Sequence, residues 1–263
     1  MAGSLRKLSG KVAIITGASS GIGAATAQLF SKEGASLSLT GRNEENLKKT
    51  VENCDLNGSQ PKPLLTIGSL TNEDVVKSLI DNTIKTFGRI DILVNNAGIL
   101  ETGSIENTSL EQYDRIFDIN VKSVYHLTML AVPHLIETKG CIVNVSSVNG
   151  IRSFAGVLAY NMSKSAIDQF TRCVALVRVN SVNPGVVVTY LQKRGGMTDE
   201  NYEKFLERSK ETHALGRPGE AIEVARAISF LAADEASFIT GANLPVDGGR
   251  HAMCPRIYIR FYN

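Results

Sequence analysis

The chain has 263 residues, of which 43% are hydrophobic and 21% charged, and its formal net charge is +2. That length buries a full core without disulfide or metal support, and the composition is that of an ordinary globular protein, which excludes disorder as the main state. The near-balanced charge leaves no electrostatic footprint for nucleic acid, and no apolar run approaches the roughly 18 residues of a membrane span. Short apolar runs alternate with longer amphipathic ones. Val12-Ala13-Ile14-Ile15-Thr16 reads as a buried strand, residues 22–33 as a helix closed by Gly34, 36–40 as a second strand, 43–53 as a polar helix and 63–67 as a third strand. Thr71-Asn72-Glu73-Asp74 has the form of a capping box opening a helix to Phe87, with Gly88 at its end, and strand four follows at 90–94. Ser109-Leu110-Glu111-Gln112 is a second capping box, opening a long helix to about Glu137 with a kink expected at Pro133. Strand five is expected at 141–145, a helix at 155–177, strand six at 179–182, a helix at 220–232 and a last strand at 238–244.

Strict βα alternation with near-continuous apolar strands implies a parallel sheet covered on both faces. The expected class is α/β: a doubly wound, Rossmann-type three-layer sandwich around a mainly parallel seven-stranded sheet, with right-handed crossovers. No linker, repeat or low-complexity stretch divides the chain, so residues 1–263 read as one domain. Ligands of such sheets bind beyond the carboxyl ends of the strands, where the strand order reverses. The four cysteines, Cys54, Cys141, Cys173 and Cys254, are far apart, with no CxxC and no His pair at finger spacing; they read as reduced thiols, and no metal site is expected. Residues 1–10 lack an apolar signal core, and Arg260-Phe261-Tyr262-Asn263 matches no retention or peroxisomal signal, so the expected compartment is the cytoplasm.

Four motifs fall where strands meet the next element. Gly17-Ala18-Ser19-Ser20-Gly21-Ile22-Gly23 follows strand one, where glycines permit a tight turn and a helix N-terminus attracts a pyrophosphate; an ordinary strand-to-helix turn is the alternative. Asn95-Asn96-Ala97-Gly98 ends strand four, with amides to satisfy backbone groups and room for a flat ligand, or as a plain turn. Ser146-Ser147 ends strand five, and alternation puts one serine on a given face. Tyr160 and Lys164 share a helix face, where an ammonium favours the phenolate of a neighbouring tyrosine; a solvated face carries the same spacing.

Together, Thr16-Gly17 with the glycine spacing to Gly23, the Asn-Asn-Ala-Gly of 95–98, Ser147 thirteen residues before Tyr160 and the Tyr-Lys pair resemble the short-chain dehydrogenase/reductase family, over about residues 11–249. The resemblance implies hydride transfer between a nicotinamide dinucleotide and a carbonyl or secondary alcohol. In it Tyr160 would be the general acid or base, Ser147 would hold the substrate oxygen, Lys164 would bind the nicotinamide ribose and lower the tyrosine pKa, and Asn120 would anchor a proton-relay water. The dinucleotide would lie against Gly17, Ser19, Ser20, Gly21, Ile22, Gly23, Asn95, Ala97 and Gly98, then Tyr160 and Lys164, and finally the loop with Pro184, Gly185, Val187 and Thr189. Strand two ends in Leu39-Thr40-Gly41-Arg42 without an acid for a ribose 2′-hydroxyl, and the Arg42 fork suits a 2′-phosphate, so NADP is expected over NAD. A homodimer or homotetramer is implied, with family dimers often pairing through the catalytic helix.

Two features depart from the family. Ser69 stands where an aspartate often follows strand three, and only 20 residues separate Lys164 from Pro184, fewer than relatives usually use. Either the helix ends early, near Arg172 or Cys173, or the sequence lacks residues of the natural protein. Residues 190–213 form the expected substrate lid; Tyr190, Met197, Tyr202 and Phe205, with Ile99, Leu100 and Phe154, suggest an apolar or amphipathic substrate or simply pack the lid. A carbonyl reductase or alcohol dehydrogenase is the leading reading. A dinucleotide-binding scaffold without turnover is the main alternative, and an epimerase or dehydratase on the same fold is a lesser one.

Overall fold

Strand β1 (Val12–Thr16) is buried at every position, as a strand in the middle of a doubly covered sheet must be. Six more strands, β2 (Ser36–Gly41), β3 (Leu64–Ile67), β4 (Ile92–Asn95), β5 (Cys141–Val145), β6 (Arg178–Pro184) and β7 (Asn243–Val246), complete a sheet of order β3-β2-β1-β4-β5-β6-β7. Every neighbouring pair is parallel, so the Rossmann-type class is as expected and the sheet is parallel throughout. The chain steps outward from β1 through β2 and β3, then crosses to β4 on the other side of β1. The carboxyl ends of β1 and β4 therefore part at the switch point where ligands of this architecture bind. This computed structural model describes residues 6–56, 60–174 and 177–253. Cys254, the run at 260–263, part of the N-terminal ten residues and Ala175-Leu176 lie outside the described residues.

The helices are α1 (Gly21–Lys32), α2 (Glu44–Glu52), α3 (Glu73–Phe87), α4 (Leu110–Phe117), α5 (Ser123–Thr138), α6 (Val148–Ile151), α7 (Leu158–Cys173), α8 (Leu191–Arg194), α9 (Asp199–Thr212) and α10 (Ala221–Ala232). Alternation along the strands divides the core between two faces. Ala13, Ile15, Ile92 and Val94 pack against Phe30 of α1, Leu47 of α2 and Ile228 of α10. Ile14, Leu93 and Ile142 pack against Leu79 of α3 and Leu127 and Leu135 of α5.

Several boundaries differ from the sequence expectation, each for a local reason. The cap of α3 is Asn72, whose side chain accepts a hydrogen bond from the Asp74 amide at 2.9 Å, so the start lies one residue past Thr71. Ser109 caps α4 as expected, accepting from the Gln112 amide at 3.2 Å, but the Gln112 side chain donates to the Thr102 carbonyl rather than closing a box. The long helix is interrupted upstream of Pro133, by a π-helical turn at Asp118–Lys122, while Pro133 sits within α5 without ending it. The helix expected at 155–177 runs only over Leu158–Cys173, with a separate turn, α6, before it. Its early end matches one of the two explanations of the short joint: β6 begins at Arg178 and pairs with Cys141. The last strand is Asn243–Val246, not 238–244, because Phe238 is wholly exposed after a 3₁₀ turn and Gly241 adopts positive φ.

Candidate active site

A cleft of about 1410 Å³ opens at the carboxyl ends of the strands. Its floor begins with the turn from β1 into α1. Gly17 has φ +63°, and a Cβ there would come within 2.9 Å of Ala97 Cα. Gly23 is needed for a different reason: a Cβ would run into the Gly17 carbonyl, and this residue packs the turn from behind rather than lining the cleft. Ser20 precedes α1 in an extended conformation without capping it through its side chain. The amides of the first helical turn thus face the cleft with the positive end of the helix dipole, a cradle that fits a pyrophosphate.

The end of β4 braces that turn. Asn96 Nδ2 donates to the Thr16 carbonyl at 2.8 Å, and the Thr16 hydroxyl accepts from the Asn96 and Ala97 amides at 2.8 and 2.9 Å. Asn95 takes no part in lining the cleft: it is still in the ladder, opposite Asn144, and its Nδ2 donates to Asn144 Oδ1 at 2.9 Å and Thr128 Oγ1 at 3.2 Å. Asn96, not Asn95, therefore lines the cleft.

Ser147, Tyr160 and Lys164 are all buried and all line the cleft. Ser147 caps α6, accepting from the Asn149 amide at 3.1 Å, whereas Ser146 turns inward to the Lys164 carbonyl. Lys164 Nζ lies 5.6 Å from the centre of the Tyr160 ring and donates to the Val145 carbonyl at 2.9 Å. Burial pushes the Tyr160 phenol up to about 12, with the Ser147 hydroxyl partly opposing, so in the chain alone the phenol is protonated. Burial likewise pushes the Lys164 ammonium down to about 8, opposed by Asp168. Within this chain desolvation sets the direction for the phenol, and the group that opposes it is the Ser147 hydroxyl rather than Lys164.

Asn120 sits in the π turn and is buried, with Oδ1 accepting from the Ile99 amide at 2.8 Å and Nδ2 donating to the Ile99 carbonyl and to Ser163 Oγ at 2.9 and 3.1 Å. It does not line the cleft itself, but a Cβ on Gly98 would meet Asn120 Oδ1 at 3.3 Å and Lys164 Nζ at 3.6 Å, which places the two around the same glycine. A π turn is a signature no residue spacing announced, and such bulges recur at functional sites.

Ser19, Ser20, Gly21, Ile22, Ala97 and Gly98 line the cleft with Gly17, and so do Pro184, Gly185, Val187 and Thr189 beyond β6. Arg42 lines its far end, is exposed, and makes no ion pair among the described residues, because Glu44 and Glu45 pair with Lys48 and Lys49 instead. Two anchors went unread in the sequence. The Tyr202 hydroxyl donates to the Thr189 carbonyl at 2.8 Å and accepts from its amide at 3.2 Å, and the buried His213 accepts at Nε2 from the Val186 amide at 3.1 Å. Both come from α9 and its end, so α9 holds the loop after β6. Among the described residues no cluster of His, Cys, Asp and Glu forms a metal site, and no helix is long and apolar enough to cross a membrane.

The profile of the family described as Enoyl-(Acyl carrier protein) reductase matches residues 17–251. The chain is 40% identical over 250 residues to meso-2,3-butanediol dehydrogenase of Serratia marcescens, covering 92% of this chain and 95% of that protein. It is 37% identical over 250 residues to cyclopentanol dehydrogenase of Comamonas testosteroni, with 92% and 98% covered. A short-chain dehydrogenase/reductase of unknown function from Caenorhabditis elegans, solved with cofactor, superimposes with a TM-score of 0.87 at 37% identity over 94% of this chain and 97% of that one. The chain belongs to the short-chain dehydrogenase/reductase family. Membership makes it an oxidoreductase acting between alcohols and carbonyl compounds with a nicotinamide dinucleotide. The glycine turn, the brace from Asn96 and the loop after β6 are the parts of this short-chain dehydrogenase/reductase that fit such a dinucleotide.

Proposed function

We propose that the protein is an NADP(H)-dependent carbonyl reductase or secondary-alcohol dehydrogenase, working as one domain with residues 190–213 as the substrate lid. The observation that carries this reading is the convergence of Tyr160, Lys164 and Ser147, all buried, on the cleft that also holds the glycine turn. When bound, the dinucleotide supplies or accepts the hydride. Tyr160 holds the proton at Oη and delivers it to the carbonyl oxygen as reduction proceeds, which the protonated phenol of this structure is ready to do. Ser147 Oγ holds that oxygen. The Lys164 ammonium, 5.6 Å from the Tyr160 ring centre, would bind the ribose hydroxyls of the dinucleotide, and Asn120 would anchor a water for resupply of the proton.

Arg42, without an ion pair among the described residues, supports NADP, its fork matching a phosphate in two parallel hydrogen bonds. Apolar groups around the site, Ile99, Leu100, Phe154, Met197 and Phe205, support an apolar or amphipathic ketone or alcohol. Exposed Tyr125, Met129 and Ile136 on α5 and Met162 on α7 support a homodimer or homotetramer. We take the cytoplasm as its compartment.

Loss of NADPH absorbance over a panel of ketones tests the assignment. Tyr160→Phe should lower turnover by about 10²–10⁴-fold, the usual contribution of a positioned acid. Equal rates in the two proteins overturn the catalytic role; cofactor binding without turnover in either supports the scaffold alternative.

A further inference from the structure

The wall of the cleft built from the segment between α6 and α7, from α9 and from the turn after β7 carries a cluster of cations that the reaction does not use. Arg250 stands in that turn with its guanidinium carbon 4.5 Å from the centre of the Phe154 ring, and its Nε is buried without a hydrogen-bond partner among the described residues. Arg152, at the end of α6, gives Nη1 to the carbonyls of Arg250, His251 and Met253 at 3.2, 3.0 and 3.2 Å. That clamp fixes it beside Arg250. Arg208, on α9, lines the same cleft. Burial above all, with repulsion from Arg208 and Arg152, holds the Arg250 guanidinium below its ordinary pKa against the pull of Asp247.

None of the three has a carboxylate partner among the described residues. Asp247, the acid nearest to hand, is committed: Oδ1 accepts from the Gly249 amide at 3.0 Å, and Oδ2 takes the His251 amide at 2.6 Å and pairs with His251 Nδ1 at 2.9 Å. On the cleft wall Glu101 is taken by Arg115, which leaves Glu211 as the remaining acid. Like charges gathered on a partly buried wall destabilise the free protein unless an anion joins them.

We propose that Arg152, Arg208 and Arg250 form a receptor for a carboxylate on the substrate, set off from the reacting carbonyl by a short apolar chain. The guanidinium fork matches a carboxylate edge, and the ring beneath Arg250 holds that fork in plane. Phe154, Phe205 and Met253 on the same cleft suit the apolar spacer. A singly charged carboxylate fits this partly dry wall better than a phosphate dianion, whose desolvation costs more.

The inference deepens the proposed reductase reading and rests on it, and two measurements keep them apart. In calorimetric titrations with NADPH present, hexanoate should bind at least about tenfold tighter than hexanamide, the scale of a charge-assisted hydrogen bond. Arg250→Met and Arg208→Gln should each cut that preference severalfold; Arg208 is exposed, so its variant guards against a folding defect in the other. Equal binding of acid and amide by the wild type, a preference that both variants keep, or tighter binding of hexyl phosphate overturns the proposal. In turnover, 5-oxohexanoate should exceed its methyl ester in kcat/KM by a similar factor. An ester turned over as well as the acid overturns the receptor and leaves the reductase; a retained preference for hexanoate without turnover of either ketone removes the reductase and leaves the receptor.

Discussion

Tyr160 and Lys164 are pushed in opposite directions by one cause. Both are stripped of water, which favours the neutral form of each: the phenol rises to about 12 and the ammonium falls to about 8. A neutral phenol is the state reduction requires, whereas a neutral lysine is poorly suited to gripping ribose hydroxyls. Because the folded pKa of Lys164 lies below its usual value, its charge is present below about pH 8 and lost above it. In the free enzyme kcat/KM for the dinucleotide should therefore fall by up to tenfold per pH unit above about pH 8, and Lys164→Arg should move that limb out of range. Steady-state kinetics from pH 6 to 10 checks this; a flat profile to pH 10 contradicts it. Arg42 supplies the second prediction at this scale. Arg42→Asp should turn the preference from NADP toward NAD by about 10–100-fold, the order of a charge-assisted pair lost and a repulsion gained, and an unchanged ratio of kcat/KM values would remove Arg42 from phosphate recognition. The spacing of Tyr160 and Lys164 was legible in the sequence. Their protonation was not, because it depends on burial by strands β4 and β5 and helix α7, which no single stretch of chain contains.

At the scale of elements, the lid helix α9 governs the loop after β6. Tyr202 holds both backbone groups of Thr189, and Thr189 in turn lies against the glycine turn, where a Cβ on Gly21 would meet its Cγ2 at 3.1 Å. Tyr202→Phe removes both bonds without altering the ring. It should raise KM for the dinucleotide by about three- to tenfold, the net value of one or two hydrogen bonds, with a smaller change in kcat. Unaltered KM with a lowered melting temperature would reduce Tyr202 to a purely structural tie. The sequence pointed to residues 190–213 as a variable segment but not to the helix capped by Thr198 or to the loop that it grips. The interruption at Asp118–Lys122 is a further case. No spacing in Asp118–Lys122 signals a π turn, and within it Asn120 bonds to Ile99 and Ser163, which lie far away along the chain.

For the whole molecule, one group of exposed apolar side chains stands out. Tyr125, Met129 and Ile136 recur on α5, and the Tyr125 ring lies 6.1 Å from Phe170 of α7, so the two helices present one surface. An exposed apolar surface of this kind is the basis for the proposed self-association. Light scattering should give two or four times the chain mass, and Met129→Lys with Ile136→Lys should shift it toward the monomer; a wild-type monomer would remove the assembly. The short joint after α7 bears on the same surface, because ending the helix at Cys173 shortens the face it offers.

The sequence by itself determined the alternation of strands and helices, hence a doubly covered parallel sheet, and it placed the glycine turn and Ser147 at strand ends and Tyr160 and Lys164 on one helix face. Those features rest on local periodicity and short-range spacing, which neighbouring residues alone specify. Only the tertiary structure decided that Asn96 rather than Asn95 braces the turn, that Tyr202 and His213 hold the loop after β6, and that Arg152, Arg208 and Arg250 meet on one wall. Each of those contacts joins positions distant in the chain, and the order of strands in the sheet, not the sequence around any one of them, brings them together.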